Sequence, residues 1–102
     1  MMAKLAPMHP GEVLREEFLV PLGLKPYGVA KMLDIPRTRI ERIAAEEIGI
    51  TADTALRLGK LFGTSAEFWL NLQSRYDMLM AQKEIGRELN KIRPAIHARA
   101  AS

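Results

Sequence analysis

Arg37, Thr38, Arg39 and, one turn on, Arg42 are the side chains in this 102-residue sequence best suited to reading another molecule. An arginine can take the O6 and N7 of a guanine together, and a threonine can offer its hydroxyl or its methyl. Glu41, among them, could accept from a cytosine N4. Stepping about 100° per residue from Ile40, Thr38, Arg42 and Ala45 point away from a stripe of Ile40, Ile43 and Ala44. Arg39 and Glu41 lie on the flanks. Arg37 lies nearer the buried side but can still reach outward from the helix start. For an isolated helix the simpler reading is a solvated charged face.

What lifts the specific reading is the segment that would position this helix, Leu24 to Thr51. Pro26 supplies the preset φ of a first helical position, and Val29, Ala30 and Leu33 share one face at helical spacing. A helix over Pro26 to Leu33 is expected, with Ala30 small enough to admit a neighbour closely. Asp34 stands where the turn needs a left-handed residue, which Asp tolerates better than most. Ile35 would plug the turn, and Pro36 would start the next helix. Two short helices joined in this way form a helix-turn-helix.

Around that segment the chain resembles the HigA-type antitoxins of the Xre-like helix-turn-helix class, in their small plasmid-maintenance (VapI-like) branch. The matching residues are Met8-His9-Pro10-Gly11-Glu12-Val13-Leu14, Phe18-Leu19 and Pro21-Leu22-Gly23-Leu24. They continue through the Ala30/Leu33/Ile35 turn, Pro36-Arg37-Thr38-Arg39-Ile40, Gly49-Ile50-Thr51 and Ala55-Leu56-Arg57-Leu58. Phe62-Gly63-Thr64-Ser65 and Phe68-Trp69-Leu70-Asn71-Leu72-Gln73 complete them. The resemblance spans roughly residues 8 to 78. It implies an all-α fold, a five-helix Xre/lambda-repressor-like domain. It also implies a RelE-like ribonuclease toxin (HigB/RelE-like) as partner.

The sequence departs from that pattern after the second helix of the motif. Where a glycine stop and basic residues would be expected, Ala45-Glu46-Glu47-Ile48 stands instead. The loss of glycine predicts a helix one turn longer. The two glutamates could weaken the electrostatic attraction to phosphates or form a loop turned away from them.

The charge is unevenly spread. Five bases (Lys25, Lys31, Arg37, Arg39, Arg42) face two acids between positions 25 and 42. Residues 1–80 hold ten of each sign, so the whole excess of the +3 chain lies beyond them. No cysteine is present, which removes disulfides, thiolate metal sites and a cysteine nucleophile. His9 and His97 lie far apart in sequence, and no phosphate-cradling Gly-rich loop or paired-carboxylate motif appears. The chain reads as neither an enzyme nor a cofactor binder. No apolar run approaches the roughly 20 residues of a membrane span, so a cytoplasmic location is expected.

The flanking elements follow from spacing. Met1 to Pro7 reads as a flexible lead-in, and His9 as the N-cap of a first helix with Pro10 at N1. Val13, Leu14 and Phe18 would be its core stripe, and Pro21-Leu22-Gly23 its end. Thr51 would cap a fourth helix burying Ala55, Leu56, Gly59 and Phe62, with Gly59 at a close helix crossing. Thr64-Ser65-Ala66-Glu67 reads as a capping box, opening a helix with Phe68, Leu72, Tyr76 and Leu79 inward and Trp69 beside them.

Beyond Met80 a second apolar stripe begins. Ile85, Leu89, Ile92 and Ile96 repeat at helical intervals, with Met78 on the same line, rotated by roughly a third of a turn from the first stripe. Either one helix carries two faces or Gly86 breaks it. Pro94 would end it, and Ala95 to Ser102 would fray. Residues 1–80 are thus expected as the helix-turn-helix domain and 81–102 as a helical extension, a dimer or partner contact. The alternative is a terminal helix folded back on its own domain.

The leading functional expectation is a dimeric autorepressor and antitoxin on a palindromic double-stranded operator. Thr38, Arg39 and Arg42 would read bases, and Lys25, Tyr27, Lys31 and Arg37 would hold phosphates. The second is a protein-interaction module on the same scaffold with weak or lost DNA binding, favoured by Glu46 and Glu47.

Overall fold

The computed structural model describes residues 7–96; the lead-in before Pro7 and the tail from His97, including Arg99, lie outside the described residues. Five helices make up the described chain. The first, α1, runs through Pro10–Val13, a π-helical Leu14–Leu19 and Val20–Leu22. The helix-turn-helix is α2 (Pro26–Leu33) and α3 (Arg37–Ala44), and α4 (Ala52–Phe62) and α5 (Ala66–Asn90) follow.

Helix α1 begins as expected: His9 Nδ1 accepts from the Gly11 N–H at 2.8 Å, and Pro10 occupies N1. Its π-helical middle was not legible. Pro21 has no N–H to give and would crowd the carbonyl four residues back. The widened turn, in which the Val20 N–H reaches the Arg15 carbonyl, lets the chain accommodate it. The five-residue spacing brings Leu19 onto the line of Leu14, so Leu19 is buried with Val13 and Leu14 while Phe18 is only partly buried.

Helices α2 and α3 carry the expected faces inward: Val29, Ala30 and Leu33 from one, Ile40, Ile43 and Ala44 from the other. Asp34 takes the left-handed conformation (φ 58°, ψ 49°). The N–H groups of Asp34 and Ile35 close onto Lys31 and Ala30 at 3.2 and 3.0 Å. This satisfies carbonyls that a helix end otherwise leaves bare.

Four expectations fail further on. Leu56 is 64% exposed, and Leu58 is the residue α4 buries; the inward face is Ala55, Leu58 and Gly59. Gly59 does sit at a close approach, but to the turn after its own helix: a Cβ there would lie 2.9 Å from the Thr64 carbonyl oxygen. The cap of α5 is Ser65, accepting from the Phe68 N–H at 3.0 Å, with no Thr64–Glu67 box. Thr64 instead accepts the indole N–H of Trp69 at 2.8 Å. That bond lets the indole occupy the core centre without a stranded polar atom. Trp69 is fully buried while Phe68 is partly exposed; Phe18 packs beside both Phe62 and Trp69, at 4.8 and 5.1 Å between ring centroids.

Gln73 of α5 fastens the loop between α3 and α4. Its Oε1 accepts from the Ile50 N–H at 2.7 Å, and a Cβ on Gly49 would strike the same amide at 2.7 Å. Helix α5, with 25 residues, is about 37 Å long at 1.5 Å per residue. It is continuous in outline but broken at Ile85, whose φ −114° and ψ 17° are non-helical. Of the two alternatives, the break is the one found, one residue before Gly86. The helix ends at Asn90, and Ile92 and Ile96 lie beyond it, so the second stripe is helical only through Leu89.

Candidate nucleic-acid interface

The outward side of α3 presents an exposed Thr38 and Arg42 and a half-buried Arg39, opposite the buried Ile40, Ile43 and Ala44. Arg37 at the helix start is also exposed. Pro36 caps α3 without a side-chain bond, so the first N–H groups of the helix carry the positive end of its dipole. On α2, Lys25 is the N-cap residue, Tyr27 stands in the first turn and Lys31 in the last; all three are exposed.

Each arginine of α3 already has a carboxylate neighbour. Arg37 Nε lies 3.7 Å from Glu41, and Arg42 Nε 3.9 Å from Glu47. Both pairs are long and solvent-exposed, worth about 0–1 kcal/mol, so phosphates or bases could displace them at small cost. Arg39 is held more firmly: its Nη1 donates to Asp53 Oδ1 at 2.8 Å. Arg57 Nε donates to the same oxygen at 2.8 Å. The two guanidinium groups, Arg57 first, hold the Asp53 carboxyl below its ordinary range.

The rear of α3 is clamped by residues that spacing did not single out. Gly11 lies so close to the Ile43 carbonyl that a Cβ would overlap it, at 1.7 Å. Arg15 Nη1 donates to the Ala44 carbonyl, and Nη2 to Glu46 at 3.2 Å. Burial pushes the His9 imidazole below its ordinary pKa of 6.5, with Glu46 and Asp77 opposing that shift. The ring packs edge-on to Tyr76 at 4.8 Å.

The expected lengthening of α3 does not occur. Glu46 itself takes the left-handed conformation (φ 64°). The N–H groups of Glu46 and Glu47 close onto Ile43 and Arg42 at 2.9 and 2.8 Å. Glu46 thus ends the helix in the role a glycine plays at other helix ends. A non-glycine residue there is strained; its ion pair with Arg15 offsets part of that cost. Glu46 is turned towards α1, whereas Glu47 remains beside Arg42.

The second stripe is exposed along its length, with Met78 at 58%, Leu89 at 43% and Ile92 at 67%. Ile85 and Ile96 are exposed as well. Among the described residues no group of three or more His, Asp or Glu side chains could hold a metal ion. Among the described residues no helix is long and apolar enough to cross a membrane.

No protein-family model matches the chain. It is 52% identical over 77 residues to Virulence-associated protein I of Dichelobacter nodosus, covering 76% of this chain and 71% of that protein. Among solved structures, the Pseudomonas aeruginosa antitoxin HigA with the higBA promoter superposes with a TM-score of 0.85 at 42% identity, covering 88% of this chain and 99% of that one. An addiction module antidote protein of the HigA family from Coxiella burnetii gives 0.83 at 46% identity, with the same coverages.

Proposed function

The chain belongs to the HigA-type, Xre-like helix-turn-helix antitoxin family, and from that membership we propose that it is a dimeric, sequence-specific DNA-binding autorepressor. The observation that carries this reading is the outward face of α3. Thr38, Arg39 and Arg42 are accessible on a helix whose opposite face is locked into the core, in a fold shared with an antitoxin solved with its promoter. Thr38, Arg39 and Arg42 read base edges in the major groove. Lys25, Tyr27, Lys31 and Arg37 hold phosphates on either side, and the N-termini of α2 and α3 assist. Residues 1–80 act as the DNA-binding domain. The stripe of Met78, Ile85, Leu89, Ile92 and Ile96 supplies the dimer contact, which sets two α3 helices in successive major grooves, about 34 Å apart, on a palindrome.

The test is fluorescence anisotropy on the DNA immediately upstream of the chain's own gene, beside a scrambled duplex, at several salt concentrations. Tight, salt-sensitive binding to the native duplex well above the scramble is expected. Equal weak binding to both would overturn the repressor reading. It would favour a protein-interaction module, for which the carboxylate neighbours of all three α3 arginines would then be the reason.

The antitoxin half of the proposal takes a HigB/RelE-like ribonuclease toxin as partner, neutralised by complex formation. Co-expression with the toxin of an adjacent reading frame tests it. Restored growth together with co-purification is expected; neither rescue nor binding would remove this half and leave DNA binding standing.

A further inference from the structure

Arg39 is the α3 arginine with a short bond to a carboxylate, and that carboxylate belongs to another helix. Asp53 stands in the first turn of α4, and its Oδ1 takes both the Arg39 Nη1 and the Arg57 Nε hydrogen bonds, each 2.8 Å. Arg57 Nη1 continues the chain, donating to the carbonyl of Leu33 at 2.7 Å. Leu33 is the last residue of α2. One line of hydrogen bonds therefore runs from the end of α2 through α4 to the base-facing side of α3.

We infer that Asp53, itself held by Arg57, is a positioning residue for sequence discrimination: it pins one corner of the Arg39 guanidinium and leaves the Nε–Nη2 edge to meet a guanine. The inference rests on the reading of Arg39 as a base reader. A guanidinium has five N–H donors in a rigid plane. With Nη1 committed to Asp53, the guanidinium is restrained, and two parallel donors remain on one edge. The rotamer freedom that a long side chain would otherwise surrender on binding is surrendered in the free protein. A loose Arg39 could also reach phosphates, which are present on every sequence. The carboxylate at its side disfavours that excursion, so the pin acts against wrong sites as well as for the right one.

The pairing was not legible from spacing, since Arg39 and Asp53 are 14 residues apart. Of the three acids that flank the α3 arginines, Asp53 differs in geometry. The Glu41 and Glu47 pairs are at 3.7 and 3.9 Å, between exposed side chains close in sequence. Only Asp53 is braced from behind by a second guanidinium that is itself tied to main chain.

The experiment uses Asp53→Asn and Asp53→Glu in the full chain, with Arg39→Ala as reference. Anisotropy is measured on the native duplex, on a set carrying each half-site base pair changed in turn, and on the scramble. The Arg39 Nε–H signal is followed by NMR in the free protein. In Asp53→Asn the Arg39 signal is expected to become mobile. Preference should fall by roughly three- to tenfold at the one base pair to which Arg39→Ala is indifferent. Affinity for the scramble should stay level or rise, and denaturation midpoints should change little; Asp53→Glu should restore part of the preference. An Arg39 signal as rigid in Asp53→Asn as in the wild type would overturn the inference. So would a rise in affinity that is uniform over all duplexes with base preference intact, which would make Asp53 merely a repelling charge. A wild-type chain with no preference for the native duplex would overturn the DNA reading and this inference together. A wild-type preference that Asp53→Asn leaves untouched would sink the inference alone.

Discussion

The two ends of this molecule are held in opposite ways. At the helix-turn-helix end, α1 and α3 touch backbone to backbone through Gly11 and Ile43, and Arg15 bridges to the Ala44 carbonyl. At the far end of α5, Leu89 and the residues after it present apolar side chains to solvent. The first end is fixed by fit within one chain. The second has apolar surface with no partner among the described residues, and on α5 it runs from Met78 past the Ile85 break to Leu89. Rigidity is concentrated where the side chains of α3 must be aimed, and unsatisfied apolar surface where a second copy is proposed to sit.

Changing one atom at the tight end should have the largest effect. Gly11→Ala puts a methyl where the Ile43 carbonyl already stands. Backbone cannot step aside as a flexible side chain can, so a loss of about 3 kcal/mol is expected, read as a lowered urea midpoint. A stability within about 0.5 kcal/mol of wild type would mean that α1 and α3 are not rigidly apposed and would erase the contrast.

At the open end a harsher substitution should leave the fold nearly untouched. Leu89→Asp removes no buried contact within the protomer, so the helicity of the body should persist. Self-association should weaken at least about tenfold, roughly 1.4 kcal/mol, as measured by sedimentation over a concentration series. An unchanged dimer would move the interface elsewhere.

The smallest effect sharpens the tight end. The folded imidazole of His9 takes a proton only below its ordinary 6.5, because it is buried. Between those two values the unfolded chain binds more protons. This contribution to stability is complete above pH 6.5 and declines as pH falls through that value towards the folded pKa. Protonation also removes the Nδ1 lone pair that accepts from Gly11. His9→Asn keeps a capping acceptor and should flatten the decline, seen as urea midpoints compared from pH 8 to 5. An equal decline in the variant would place its origin in other groups.

Much of the helix-turn-helix was legible because its signals are local. Pro26 and Pro36 mark helix starts, Asp34 marks the left-handed turn, and the stripes on α2 and α3 repeat at helical spacing. The family resemblance rested on ordered blocks of such signals. What failed to show was set by distance or by competition. Arg15 and Glu46 are 31 residues apart, and nothing along the chain announces their pairing. Gly11 reads as an ordinary residue after a proline until Ile43 is seen against it. Leu56 and Leu58 are equally apolar, and only the neighbours of α4 decide which is buried. The missing glycine after α3 suggested a longer helix, but the Schellman bonds and Arg15 sufficed to hold a glutamate in the left-handed state. Where the candidate base-reading residues lie was legible from the helix wheel; the bracing of Arg39 by Asp53 and Arg57 needed three helices in view.

The π-helical middle of α1 has a consequence for chain length. A π segment is an α-helix carrying one residue more than the regular hydrogen-bond pattern requires. Between Leu14 and Leu19 the surplus lies among exposed Glu16 and Glu17. Deleting Glu17 would leave Leu14 and Leu19 four apart, the regular α-helical interval, still on one face. This is therefore the point in the domain where an alignment gap of one residue would alter the solvent side of a helix and leave its buried side in register.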